Sequence, residues 1–143
     1  MKSTIYYVLF VSLSLASTDF RWTPSETYVN TQEFDLKASM EKGKGVYQTL
    51  CASCHMAEGT GVNRVFPPLE SSENLKDASY VAKTIKNGMS GPIKVKGVTY
   101  NSSMLAMNLS DQQISDVMNY IRNSWGNSYG PVQTKDLPEL LKD

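Results

Sequence analysis

Histidine occurs once in these 143 residues and cysteine twice, and neither charge sign is in excess: Lys plus Arg and Asp plus Glu each number 14. A nucleic-acid partner favours a basic surplus, which is missing here. One histidine leaves little for general acid–base catalysis, and no serine or cysteine has a spare histidine to activate it. Carboxylates show no suggestive pairing, and no glycine-rich phosphate loop follows a strand pattern. Long apolar runs are scarce too. The best of them, Ile5 to Leu15 in MKSTIYYVLFVSLSLAS, is about a dozen residues, short of the roughly 20 that a membrane-spanning helix needs. Lys2 precedes it and the small residues Ser14 and Ala16 close it. That pattern predicts an export signal over 1–16, cleaved after Ala16, with an uncleaved N-terminal anchor as the alternative. No cysteine adjoins its end, which excludes a lipoprotein anchor, and the mature chain is expected to be exported.

What remains is enough for one domain of roughly 100 residues. Residues 17–36 are polar, carry Pro24 and show no sustained period, as an arm or linker would. Residues 37–126 read as the domain, and 127–143, with Pro131 and Pro138, as a C-terminal tail holding one turn around Leu137 to Leu141. A first helix is predicted from near Leu36 to Ser39 up to Cys51, with Met40, Val46, Tyr47 and Leu50 sharing a face. Gly43 and Gly45 weaken that helix by about 1 kcal/mol each against alanine, so a second backbone should lie close by. Asp77 and Asn87-Gly88 bracket another helix, with Val81 and Ile85 inward. GPIKVKGVTYNSS, 91–103, alternates around Gly97 and predicts a short extended excursion. Ser110 and Gln113 form a capping box ahead of a stripe through Ile114, Val117, Met118, Ile121 and Trp125, with Gly126 as the stop. The fold class is therefore all-α, with three or four helices.

Both cysteines and the histidine fall in one pentapeptide, CASCH, as Cys51, Cys54 and His55. A disulfide oxidoreductase would place C-x-x-C at a helix start after a strand, in an alternating β/α pattern that is not seen here. A structural zinc site needs four ligands, and an acidic residue would have to complete these three. C-x-x-C-H is the signature of covalent haem attachment. Two thiols at this spacing add to the two vinyl groups of one haem, and the imidazole that follows meets the iron. With the sole histidine spent, a methionine is the expected sixth ligand. Met56, Met89, Met104, Met107 and Met118 lie downstream. Met56 adjoins the proximal ligand and cannot reach the other face, and Met118 belongs to the core stripe, while Met89 follows a helix end and stays open as a candidate.

On CASCH the chain resembles the class I c-type cytochromes, the monohaem His/Met kind found in bacteria alone, as subunits or as fused domains. The resemblance covers about 37–126. In that pattern a glycine stands eight positions before the first cysteine and an aromatic four before it, which Gly43 and Tyr47 match. The family glycine lets the first helix cross closely over the last, where an aromatic matches Tyr120. FPPL, 66–69, resembles the segment whose proline carbonyl takes a hydrogen bond from the proximal histidine, with Pro67 the better match by its offset from Leu69. VKGVTYNSSMLAMNLSD resembles the stretch carrying the distal methionine. Met104 matches that ligand, Met107 is the runner-up, and Leu105 stands where the family usually has proline.

The resemblance implies one covalent haem c on Cys51 and Cys54, iron ligands His55 and Met104, a hydrogen bond from the His55 ring to the Pro67 carbonyl, and haem packing by Tyr47 and Leu69. It implies outer-sphere electron transfer between protein partners in the bacterial periplasm and no enzymatic activity of its own. A dedicated subunit of a dehydrogenase, oxidase or reductase is the alternative. An open-site haem sensor or enzyme would require both methionines to be non-ligands. No acidic residue lies between Asp77 and Asp111, whereas Lys83, Lys86, Lys94 and Lys96 do. They are expected to form a basic rim for docking an acidic partner, against the alternative of a merely solvated surface.

Overall fold

The computed structural model describes residues 33–142. The leader read over 1–16 and the arm of 17–36, up to residue 32, lie outside them. Helix α1 spans Leu36–Leu50, and the Asp35 side chain caps it by accepting from the Ala38 N–H at 3.0 Å. Its inner face differs from the expected stripe. Ser39, Gly43 and Tyr47, four apart, are the buried residues, whereas Leu50 is 41% exposed. The cause is the partner helix, α4, Asp111–Arg122. A Cβ added at Gly43 would stand 1.9 Å from the Asp116 carbonyl oxygen. Two helix backbones that touch leave room only for small residues at the crossing, so the larger apolar side chains flank it.

A polar network closes the same crossing. The Ser39 hydroxyl donates to Asp116 Oδ1 at 2.5 Å and accepts from Asn119 Nδ2 at 2.9 Å. All three are buried. Gln112 also donates to Asp116 Oδ1, at 3.0 Å. Among the described residues no buried side-chain nitrogen or oxygen lacks a partner, so the network does not carry the penalty of an orphaned polar group.

The capping box predicted at Ser110 and Gln113 is present, and Ile114, Val117, Met118 and Ile121 point into the core. The helix stops earlier than expected, at Arg122. The Asn123 N–H turns back to the Tyr120 carbonyl at 3.3 Å, and Trp125 lies past the end with φ 50°. Its ring still packs inward, with its centroid 5.0 Å from Tyr47 and 5.2 Å from Tyr120.

Between these long helices come α2, Ala52–His55, a 3-10 turn at Glu73–Lys76, and α3, Ala78–Asn87. Asp77 caps α3 by accepting from the Tyr80 N–H at 3.0 Å, and Gly88 ends it. The extended excursion is an antiparallel pair, β1 Ile93–Val95 with β2 Val98–Tyr100, in which Lys94 faces Thr99.

Residues 127–142, read as a C-terminal tail with one turn around Leu137 to Leu141, pack against the rest of the domain. A 3-10 turn at Thr134–Asp136 leads into α5, Leu137–Leu140. Val132 and Leu137 are 3% and 0% exposed and belong to the core. Asn119 accepts from the Val132 N–H and, with Ser115, donates to its carbonyl. The buried Arg122 guanidinium donates to the carbonyls of Leu75, Tyr129 and Gly130 at 2.9, 3.0 and 3.2 Å. Polar side chains of α4 hold this segment by its backbone, a signal that hydrophobic periodicity does not carry.

The two glycines of α1 should respond in opposite directions. Gly43→Ala forces the helices apart and is expected to cost about 2–3 kcal/mol, the upper range for overpacking. Gly45 has nothing within 4 Å of an added Cβ, so Gly45→Ala should gain roughly 0.5–1 kcal/mol. Urea midpoints of the two variants check this, and equal shifts would contradict the crossing.

Candidate haem site

CASCH enters the fold at a corner. Cys51 is both the last cap of α1 and the residue before α2, so the two thiols and the imidazole sit on one short helical turn. Four residues before Cys51, the buried Tyr47 hydroxyl donates to the Met56 carbonyl at 2.6 Å. Met56 has φ 63°, a left-handed conformation that costs a side-chain-bearing residue energy. The Tyr47 bond holds that reversal. From there the chain loops back: Gly61 N–H reaches the His55 carbonyl at 3.0 Å, and Leu69 N–H reaches the Gly59 carbonyl at 2.7 Å. Gly61 packs so closely on this return that a Cβ would lie 2.7 Å from the Pro67 oxygen.

The return brings the Pro67 carbonyl to 3.0 Å from His55 Nδ1. A carbonyl can only accept, so Nδ1 carries the hydrogen and Nε2 keeps its lone pair for a metal. Burial lowers the His55 pKa, with the Pro67 bond opposing in part. The ring is thus kept neutral, as a ligand must be. Both cysteines are free and partly buried. Burial, and then the neighbouring Cys54, push the Cys51 thiol up to about 11. A catalytic redox cysteine needs the reverse, a depressed pKa, which weighs against the oxidoreductase reading. Among the described residues no group of three or more His, Cys, Asp or Glu is placed to hold a metal ion.

In front of these residues lies an almost wholly apolar cavity, the kind of lining that cofactor clefts have. Tyr47, Cys51, His55, Pro67, Leu69, Met104 and Met107 all line it. Cys54 lines an adjoining cavity that shares Cys51, His55, Met104 and Met107 with the first. Every site residue expected from the sequence is therefore brought to one place. An apolar slot with two thiols, one imidazole nitrogen free for a metal and thioether sulfurs on its walls fits a flat, apolar, iron-bearing macrocycle held by thioether bonds.

Tyr80 was not expected as a site residue and Met89 stood among the candidate methionines; both line the same cavity. The Tyr80 hydroxyl donates to the Met89 sulfur at 3.6 Å. Neither belongs to a motif. Tyr80 sits one residue before the inward Val81, which is the only hint in the sequence. Tyr100 is buried and Phe66 half-buried beside the adjoining cavity, as packing aromatics should be.

Tyr47→Phe removes the hydroxyl that restrains the turn after His55. A loss of about 0.5–1.5 kcal/mol is expected, the net worth of one hydrogen bond, since the Gly59 N–H still donates to the Met56 carbonyl at 3.1 Å. Thermal melts check it, and an unchanged melting temperature would remove this bond from the account.

Comparison with known proteins gives a coherent answer. The cytochrome c family model matches residues 40–125. The cytochrome c subunit of a quinone alcohol dehydrogenase from Gluconobacter oxydans is 36% identical over 102 residues, which is 68% of this chain and 21% of that protein. Cytochrome c-552 of Thermus thermophilus is 34% identical over 84 residues, 54% of this chain and 64% of that protein. The cytochrome c subunit of gluconate 2-dehydrogenase from Pantoea cypripedii is 33% identical over 111 residues, 72% of this chain and 24% of that protein. The chain thus spans between 21% and 64% of the length of these relatives. With a family match over most of the described domain, the chain belongs to the cytochrome c family, whose members bind haem c covalently.

Proposed function

We propose that this protein carries single electrons between protein partners on one haem c. The observation that bears most weight is the convergence of Cys51, His55 and Met104 on one apolar cavity, with the His55 ring fixed by the Pro67 carbonyl. When bound, haem supplies a one-electron iron couple; the protein supplies attachment, ligation and exclusion of water. In this reading Cys51 and Cys54 form the thioethers, His55 is the proximal ligand, and Met104 is the distal one with Met107 as runner-up. Pro67 orients the imidazole, and Tyr47 and Leu69 pack against the macrocycle. No step makes or breaks a substrate bond, so the chain is read as a carrier and not an enzyme. Among the described residues no helix is long and apolar enough to cross a membrane. The export signal read over 1–16 puts the protein in the periplasm. A dedicated subunit of a larger dehydrogenase is the second reading, favoured by relatives that are named as such subunits. Elution of the native protein at its own mass or inside a complex separates the two.

The docking surface needs refinement. Two of the four expected lysines are engaged: Lys86 lies 3.2 Å from Asp111 and Lys96 lies 3.4 Å from Glu70. Among the described residues Lys83 and Lys94 have no acidic partner within 4.0 Å. The mouth of the adjoining cavity carries Leu50 and Leu105, 41% and 78% exposed. An apolar contact ringed by few free charges fits this surface better than a broad basic rim does. Neutralising Lys83 and Lys94 should flatten the salt dependence of electron-transfer rates more than neutralising Lys86 and Lys96. Equal effects from the two pairs would remove the distinction.

Ligation is tested by NMR of the reduced holoprotein labelled at methionine methyl groups. One methyl should be shifted far upfield by the macrocycle's ring current, and sequential connectivity should assign it to Met104. Assignment to Met107 would transfer the role, and no shifted methyl would mean an open iron site and a sensor or enzyme instead.

A further inference from the structure

Met89 and Met104 are 15 residues apart in sequence but face each other across a short antiparallel bridge. Each N–H donates to the other's carbonyl, both at 2.9 Å. Residues directly opposed in this way project their side chains on the same face of the ladder, side by side. Both side chains accordingly line the haem cavity. The pairing depends on Gly88, where an added Cβ would lie 2.5 Å from the Met104 carbonyl oxygen and 2.7 Å from Ala106 N. Met107 is held differently, with its N–H on the Ile85 carbonyl at 3.0 Å.

The side chain of methionine is unbranched and adaptable, so two such arms rooted on opposed backbone positions can reach a common point. Among the described residues one hydrogen bond holds the Met89 sulfur, that from the Tyr80 hydroxyl at 3.6 Å. Thioether sulfur is a weak acceptor, so that hold is slight. We propose that Met89 is a reserve ligand of this site, taking the sixth position on the iron when the Met104 sulfur leaves it. This rests on the reading of Met104 as the resident ligand. It predicts an iron that stays six-coordinate through events that would otherwise open it.

The test extends the methyl NMR to Met104→Leu, a swap that nearly conserves volume. In that holoprotein a methyl should again be shifted upfield, should be assigned to Met89, and should vanish in Met104→Leu/Met89→Leu. No shifted methyl in Met104→Leu, or one assigned to Met107, overturns the proposal while leaving the wild-type reading intact. A wild type without a shifted methyl overturns both. If Met104→Leu does not hold its fold by circular dichroism, saturation transfer on the wild type decides. A minor state with the Met89 methyl shifted supports the reserve role, and its absence removes it.

Discussion

The contact between Gly43 and the Asp116 carbonyl governs how the rest of the molecule is placed. Because the two backbones touch there, Ser39 one turn earlier and Tyr47 one turn later are drawn into the same seam. Ser39 meets Asp116 and Asn119. Tyr47 is fully buried and is wedged between Tyr120 and Trp125, with ring centroids 5.4 and 5.0 Å away. From that wedge its hydroxyl catches Met56 and sets the turn that follows His55. A wider crossing would move all of these, and with them the direction in which CASCH faces the cavity.

Main-chain carbonyls do much of the positioning. Pro67 orients the imidazole, Met56 receives Tyr47, Met89 and Met104 hold one another, and four carbonyls receive Arg122. A backbone group already fixed by its neighbours loses little further entropy when it forms such a bond. An electron carrier gains from this, because its iron environment has to change little between the two oxidation states, and ligands held by a stiff frame stay in register.

Much of this was legible in the sequence, for identifiable reasons. CASCH is dense in rare residues and has one spacing that chemistry explains. Asp77, and Ser110 with Gln113, announce helix starts through side chains that satisfy the first free N–H groups. Gly43 was legible as a close approach because it costs a helix stability that something must return, but the same reasoning fails at Gly45, where an added Cβ would meet nothing within 4 Å. Other features had no local signature. The inner face of α1 could not be read from apolar spacing, since at the crossing small residues displace large ones. The packing of 127–142 depends on Ser115, Asn119 and Arg122, polar residues whose partners are backbone atoms far along the chain. The neutralised lysines needed knowledge of where Glu70 and Asp111 come to lie. Met89 meets Met104 only through a bridge that Gly88 permits.

The Ser39 network joins groups 77 and 80 residues apart, which gives the molecule a timetable as well as a shape. A chain made from its N-terminus presents CASCH long before α4 exists to receive α1. Contacts between such distant segments form late, because the loop between them must close first. The thiols therefore pass through a period when nothing covers them. Until α4 docks, the cavity that Cys51 and His55 face lacks the Val117 and Ile121 that line it.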